Sequence, residues 1–358
     1  LKVIDPNHIE ARVMRRLEGR LGHVVGVVEK DQTGVRLRTI DRRGPRDVIL
    51  SPEALDTLEP GEVVVAEIST ERSYGLRKAE VRKQLGQLNA PGVIERMICA
   101  ELGVPTEFPS DATAAAKKAG PPNSKGRVDL QSLPLITIDD EDARDFDDAV
   151  WATRDSDSNN QGGWKLTVAI ADVAAYVKPD DPIDREAKRR GNSVYMPRLV
   201  VPMLPEVLCN EWCSLKPKET RACLAVHIWI DHNGSILRYR FERALIQSVA
   251  RLTYTAVQTA HEGTTNKTTG PLLGAIEELY GAYASLRKAR TERNTLDFDL
   301  PEQKIIFDET ESVQAISLRP RYDSHRLIEE FMIAANVAAA EVLSKANAPC
   351  MYRIHDQP

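Results

Sequence analysis

The stretch ITIDDEDARDFDDAV, residues 136–150, packs six aspartates and one glutamate into ten consecutive positions between two apolar runs. Like charges this close repel, so a folded chain can hold them only against protons or a cation. The flanks LPLITI and AVWAT read as buried strands, which draws the cluster toward a core instead of leaving it a solvated loop. Oxygen-only ligands favour hard ions, Mg²⁺ or Mn²⁺ before Zn²⁺. A calcium hand fails on spacing: counted from Asp139, the sixth position is not Gly and the twelfth is Val150, not Glu. Asp139 ends its strand. If the chain is extended again after a short excursion, Asp145 and Asp147 share one face and Asp148 points to the other. Two carboxylate-held metals bridging a phosphate suit phosphodiester hydrolysis, but the same set suits a polymerase or a phosphatase. The cluster alone does not choose.

With 358 residues the chain exceeds one typical domain, and an apolar share of 42% is that of a globular protein. No apolar run approaches the ~18 residues that cross a bilayer, and the N-terminal LKVIDPNHIEARVMRR lacks the regions of a signal peptide, so a cytoplasmic protein without membrane partners is expected. Five cysteines, odd in number, fit reduced thiols; Cys209 and Cys213 of CNEWC lack the second pair that a zinc site would need. The net charge of −5 does not advertise a nucleic-acid binder. Basic runs in DREAKRRGNS, LRKARTER and LRPRYDSHR each read as solvated helix faces, yet together with an acidic site they could wall a channel. The chain starts without Met and stops at YRIHDQP with no closing element, which suggests a fragment.

Along the chain, GHVVGVVEK, GVRLRTID, RDVILSP and EVVVAEIST read as short strands of a small closed barrel within residues 1–76. Residues 77–102 carry a largely helical pattern broken at Pro91-Gly92, and the Pro-, Ala- and Lys-rich stretch that follows reads as an extended linker, giving a connecting region of 77–128. From 129 onward, DDAVWAT and WKLTVAIADVAAYV predict two strands, and RACLAVHIWI and SILRYRFERALI predict a hairpin turned by DHNG. Helices are predicted near 254–262, 272–294 and 323–346. The fold class is therefore multi-domain α+β.

The ordered motifs ITIDDEDARDFDDAV, LTVAIADVAAYV, RRGNSVYMP, VPMLPEVLCNEWCSL, ARLTYTAV, HRLIEEFMIAAN and YRIHDQP closely resemble the catalytic domain of the ribonuclease II/ribonuclease R family, in its bacterial ribonuclease R branch. The likeness covers residues 130–358 nearly without gaps. The earlier strands look like a cold-shock, OB-like barrel of that family, poor in aromatics, so that RNA binding there would rest on Lys and Arg. The resemblance implies an incomplete mixed α/β RNB catalytic domain (129–358). Its implied activity is processive, Mg²⁺-dependent 3′-to-5′ hydrolysis of single-stranded RNA to nucleoside 5′-monophosphates, with Mn²⁺ as an alternative ion. A monomer is expected, with association to RNA-decay or ribosome-associated machinery left open.

Carried over position by position, Asp139, Asp145, Asp147 and Asp148 match the family's catalytic, metal-holding aspartates. Asp142 lies in the same motif with a structural role equally open. Tyr195 matches the tyrosine that packs on the 3′-terminal nucleotides, Tyr254 and Phe298 match aromatics that contact bases, and Glu329 matches an acidic residue facing the RNA channel. Read without the family, the three aromatics are core residues and Glu329-Glu330 an exposed helix face. Asp140 stands where the family usually has Gly; since Asp tolerates turns, it reads as surface decoration. The family's later arginine pair before Tyr-Pro-Asp and its S1-type barrel are missing, and the arginine would stabilise charge on the attacked phosphate. The alternative is an RNA-binding fragment or inactive relative without cleavage. A small-substrate phosphatase would not need the barrel or the aromatics.

Overall fold

The computed structural model describes residues 2–5, 8–10, 22–31, 34–41, 44–51, 54, 57–295 and 300–354. The chain divides into two compact units, one of Leu1–Glu107, Ser193–Val201 and Phe307–Gln314, the other of Phe108–Asn192, Pro202–Ile306 and Ala315–Pro358.

In the first unit, β1 (Lys2–Asp5) and β2 (His8–Glu10) form a short antiparallel pair. Five strands then close an OB-like barrel: β3 (His23–Asp31), β4 (Gly34–Thr39), β5 (Asp47–Leu50), β6 (Glu62–Ser73) and β7 (Leu76–Gln87), in the order β3-β4-β5-β7-β6. Alternation drives this closure. Val35 and Leu37 of β4, Val48 and Leu50 of β5, and Val64 and Ala66 of β6 point inward into one core. Gly26 is needed where β3 meets β4, because a Cβ there would collide with the Arg38 carbonyl. The unit also holds a two-strand pair, β12 (Val194–Tyr195) and β13 (Val200–Val201).

The helical expectation for residues 77–102 is half corrected. Residues up to Gln87 are strand, pairing with β5 in parallel and β6 antiparallel, and only α1 (Val93–Leu102) is helical. Ala79 and Val81, two apart, turn into the same core as Val64 and Ala66, and Leu85 joins a second cluster with Val25 and Val63, while the Lys, Arg, Glu and Gln between them are good helix formers. Closing the barrel outweighs their propensity. The strand therefore runs past the barrel boundary expected at residue 76. The linker expectation is corrected as well: α2 (Ser110–Ala116) lies inside it, with Ala112 and Ala116 buried.

The second unit is built on a seven-stranded sheet. Its strands are β8 (Val128–Asp129), β9 (Ile136–Asp139), β10 (Asp148–Arg154), β11 (Trp164–Ala171), β14 (Thr220–Ile230), β15 (Ile236–Gln247) and β16 (Ala250–Thr253). The order is β16-β9-β10-β11-β14-β15-β8, antiparallel inside and parallel at its two edge pairs. One face carries Ile138, Val150, Leu166, Val168 and Ile228 against α4 (Tyr254–His261), α5 (Leu273–Glu292) and α6 (Asp323–Lys345). The other face packs Ala149, Ala169, Cys223 and Ile246 against α2, α3 (Pro182–Arg190) and the π-helical turn Val207–Trp212. Both faces are covered, which is why β11 reads as nearly continuous apolar sequence. The DHNG turn joins β14 to β15, and Gly234 adopts φ +86° directly over the Ser285 carbonyl of α5. Strands β17 (Gln303–Phe307) and β18 (Val313–Leu318) pair with each other. Among the described residues no helix is long and apolar enough to cross a membrane.

Candidate active site

Two apolar strands deliver the acidic residues. Asp139 is the last residue of β9 and Asp148 the first of β10, and β9 and β10 pair antiparallel, so their neighbouring ends bring the two carboxylates together. On the far side of β9, Thr253 of β16 lies opposite Asp139, and Tyr254 follows it at the start of α4. The extended conformation expected for residues 145–148 begins only at Asp148; Asp145 and Asp147 lie in the loop. Strand alternation therefore does not separate them, and the charges of Asp145, Asp147 and Asp148 all reach Asp139.

The loop is tied down by groups from other elements. Arg251 of β16 donates from Nη2 to the carbonyls of Asp140, Glu141 and Ala143 at 3.0, 2.8 and 3.3 Å, and its guanidinium packs over Phe146. The Phe146 amide donates to Ser214 Oγ at 3.0 Å, and the Asp147 carbonyl accepts from the Ala171 amide at 2.8 Å. Asp140 forms an ion pair with Arg319, which corrects its reading as mere decoration: the charge that replaces Gly has a cation waiting for it. Asp142 lies 3.7 Å from Lys304, and the Glu141 carboxylate accepts from Thr255 Oγ1 at 3.0 Å.

Those carboxylates have partners; Asp139 and Asp148 each keep a buried Oδ2 with no hydrogen-bond partner among the described residues. Burial, with the charges of Asp148, Asp147 and Asp145, pushes the Asp139 carboxyl up to about 7 against the pull of Arg251. Burial and Asp147 push Asp148 up to about 6. Asp147 is raised by its surroundings and by Asp145, although its side chain is open to solvent. Such a set, all oxygen and with two orphaned acceptors, fits a hard divalent cation by donor chemistry. Among the described residues no three His, Cys, Asp or Glu side chains are already gathered to hold a metal. Burial pushes the nearby thiols Cys209 and Cys213 up to about 11 and 12, so both stay protonated and are poor metal ligands at neutral pH.

Of the aromatic candidates, Tyr254 belongs to this site. Its hydroxyl is pushed up by burial and by the charges of Asp139, Asp148 and Glu329, and its ring stacks on His325 of α6 at a centroid distance of 4.0 Å. Glu329 lies on the exposed side of α6 and pairs with Arg321 at 2.8 Å. Glu330 is not exposed as its pairing with Glu329 suggested; it is buried and held by Arg290 at 2.8 Å. Tyr195 is in the first unit, on β12, with 68% of its surface exposed, so it is not the core residue that its neighbours alone suggested. Phe298 lies outside the described residues. Sequence reasoning missed Arg251, His325 and Arg319. Arg251 left a trace as a cation inside the apolar edge strand ARLT, and Arg319 and His325 lie in the basic run LRPRYDSHR, whose partners no spacing named.

Residues 127–358 match the RNB domain family and residues 37–109 the cold shock domain family. The chain is 40% identical over 357 residues to ribonuclease R of Vibrio parahaemolyticus, covering 98% of this chain and 42% of that protein. It is also 40% identical to ribonuclease R of Escherichia coli K12, with 98% and 43% covered. The chain thus spans less than half the length of these curated relatives. Among solved structures, Mycoplasma genitalium RNase R in complex with ribose-methylated single-stranded RNA superposes with a TM-score of 0.84 at 25% identity, covering 100% of this chain and 57% of that one. The RNB match includes every residue of the acidic site, and the strand ends that assemble Asp139 and Asp148 belong to that matched region: the chain is a member of the ribonuclease R family of RNB-domain proteins.

Proposed function

We propose that the chain carries the acidic centre of a 3′-to-5′ exoribonuclease that hydrolyses single-stranded RNA to nucleoside 5′-monophosphates. One observation carries the reading: Arg319, Lys304 and Thr255 tie Asp140, Asp142 and Glu141 of the loop, whereas Asp139 and Asp148 each keep a buried oxygen with no hydrogen-bond partner among the described residues. Asp139, Asp145, Asp147 and Asp148 would hold Mg²⁺ or Mn²⁺, which when bound would stabilise charge on phosphate oxygens and acidify a water. The chain's own groups supply position. Arg251 fixes the loop, and the Tyr254–His325 stack offers an aromatic surface beside the acids on which a base can lie. Tyr195 and Phe298 would add further base contacts, and Glu329 would face the strand. RNA as the partner is supported by the RNA complex of the Mycoplasma relative.

A second reading, an RNA-binding piece without cleavage, is favoured by the exposed Tyr195 and the Tyr254–His325 stack, aromatic surfaces that bind bases without a metal. A 5′-labelled single-stranded RNA decides between them, incubated with Mg²⁺ or with chelator, with this chain, with Asp147→Asn, and with a version extended to the relatives' length. The expected result is a metal-dependent ladder shortening from the 3′ end, lost in Asp147→Asn while RNA binding survives. RNA bound but left whole by the extended protein, or cut internally, overturns the proposal.

A further inference from the structure

The second unit contains a cavity of about 550 Å³ that no residue of the acidic loop lines. Its apolar wall comes from Ala115, Ala116, Ile183 and Leu208, with Pro121 and Pro122 at one side. Its polar lining is lopsided. Lys118, Lys125, Arg127, Lys178 and Arg243 face it, and Asp172 is the one carboxylate among the lining residues.

Asp172 is already neutralised: Arg127 Nη2 lies 2.6 Å from its Oδ2, with both side chains 9% exposed. None of the other four cations has a carboxylate partner among the described residues; Lys178 Nζ donates only to the Ala174 carbonyl, at 2.6 Å. The Tyr176 hydroxyl, also on the lining, is buried and has no hydrogen-bond partner among the described residues. In a chain of net charge −5, four unpaired cations around one concavity form a local positive field, which low-dielectric walls focus.

An anion with more than one charge answers this arrangement, and a phosphomonoester carries that charge at neutral pH with oxygens for the lysines and the phenol. The cavity is larger than a free phosphate needs. Its volume lies within the ~300–1,000 Å³ of small-molecule sites, and the apolar wall can take a ring. We propose that this cavity binds a nucleoside 5′-monophosphate. Its wall starts one residue from the acidic loop, since the Ala171 amide donates to the Asp147 carbonyl and Asp172 comes next. On the reading proposed above, the bound nucleotide is the product of cleavage.

Calorimetric titration with AMP, adenosine and inorganic phosphate, in chelator so that no metal bridges phosphate to the aspartates, tests the site without requiring cleavage. AMP is expected to bind. The exposed-charge reversal Lys125→Glu/Lys178→Glu should weaken it by about tenfold or more, Tyr176→Phe by a smaller factor, and adenosine alone should not bind. AMP binding that is absent, or unchanged by the charge reversal, overturns the proposal; inorganic phosphate bound as tightly as AMP overturns the nucleoside part of it. Cleavage of RNA without AMP binding would sink this inference alone, and AMP binding without cleavage would leave it standing while the exoribonuclease reading falls.

Discussion

Asp139 ends β9 with a carboxyl raised to about 7, so its protonation favours the fold. Because that value lies above the ordinary 3.8, the contribution is complete below about 3.8 and is lost as pH rises through about 7; Asp148 adds the same sign up to about 6. In chelator, the thermal midpoint of the wild type should fall relative to Asp139→Asn between pH 4 and pH 7.5, and Mg²⁺ at pH 7.5 should raise the wild type but not the variant. A constant difference across that range would show that Asp139 titrates normally. The residue types of this site were legible in the sequence: four carboxylates beside apolar strands. Which carboxylates are tied and which are orphaned was not, because Arg319, Lys304 and Thr255 come from positions more than a hundred residues away.

At the level of elements, β16 does two jobs. It edges the sheet beside β9, and it aims one guanidinium at three carbonyls of the acidic loop. A hydrogen bond from a charged donor is worth about 1.5–3 kcal/mol, and the two hydrogens of Nη2 serve all three carbonyls, so Arg251→Ala should destabilise the protein by roughly 3–6 kcal/mol in urea unfolding. Removing this cation should also push the Asp139 carboxyl higher still, read by carbon NMR in chelator. Arg251→Lys should recover the charge effect but little of the stability, since a compact ammonium cannot lie flat over Phe146 as the guanidinium does. The hairpins and the three long helices were readable from period and turn residues. β7 was not: its lysines and arginines favour a helix, and only pairing to β5 and β6 makes it a strand.

For the whole molecule, stability rests on separate cores. In the second unit Phe331 of α6 is fully buried in the helix face of the sheet, and Phe331→Ala should cost about 3–5 kcal/mol, seen as a lower urea midpoint with an unchanged slope. An unchanged midpoint would mean that α6 does not hold the sheet. The α+β class, the barrel's short strands and the covered sheet could be anticipated because alternation, apolar runs and Gly-containing turns are local signals. The acidic cluster was legible for the same reason: it lies within ten consecutive residues. What only the tertiary structure decided is pairing between distant positions. It set Tyr254 on His325, Arg319 on Asp140 and Glu330 on Arg290, and it collected Lys118, Lys125, Lys178 and Arg243 around one cavity. Electrostatic partners act over a few ångströms whatever their separation along the chain, so no spacing rule in the sequence could have named them.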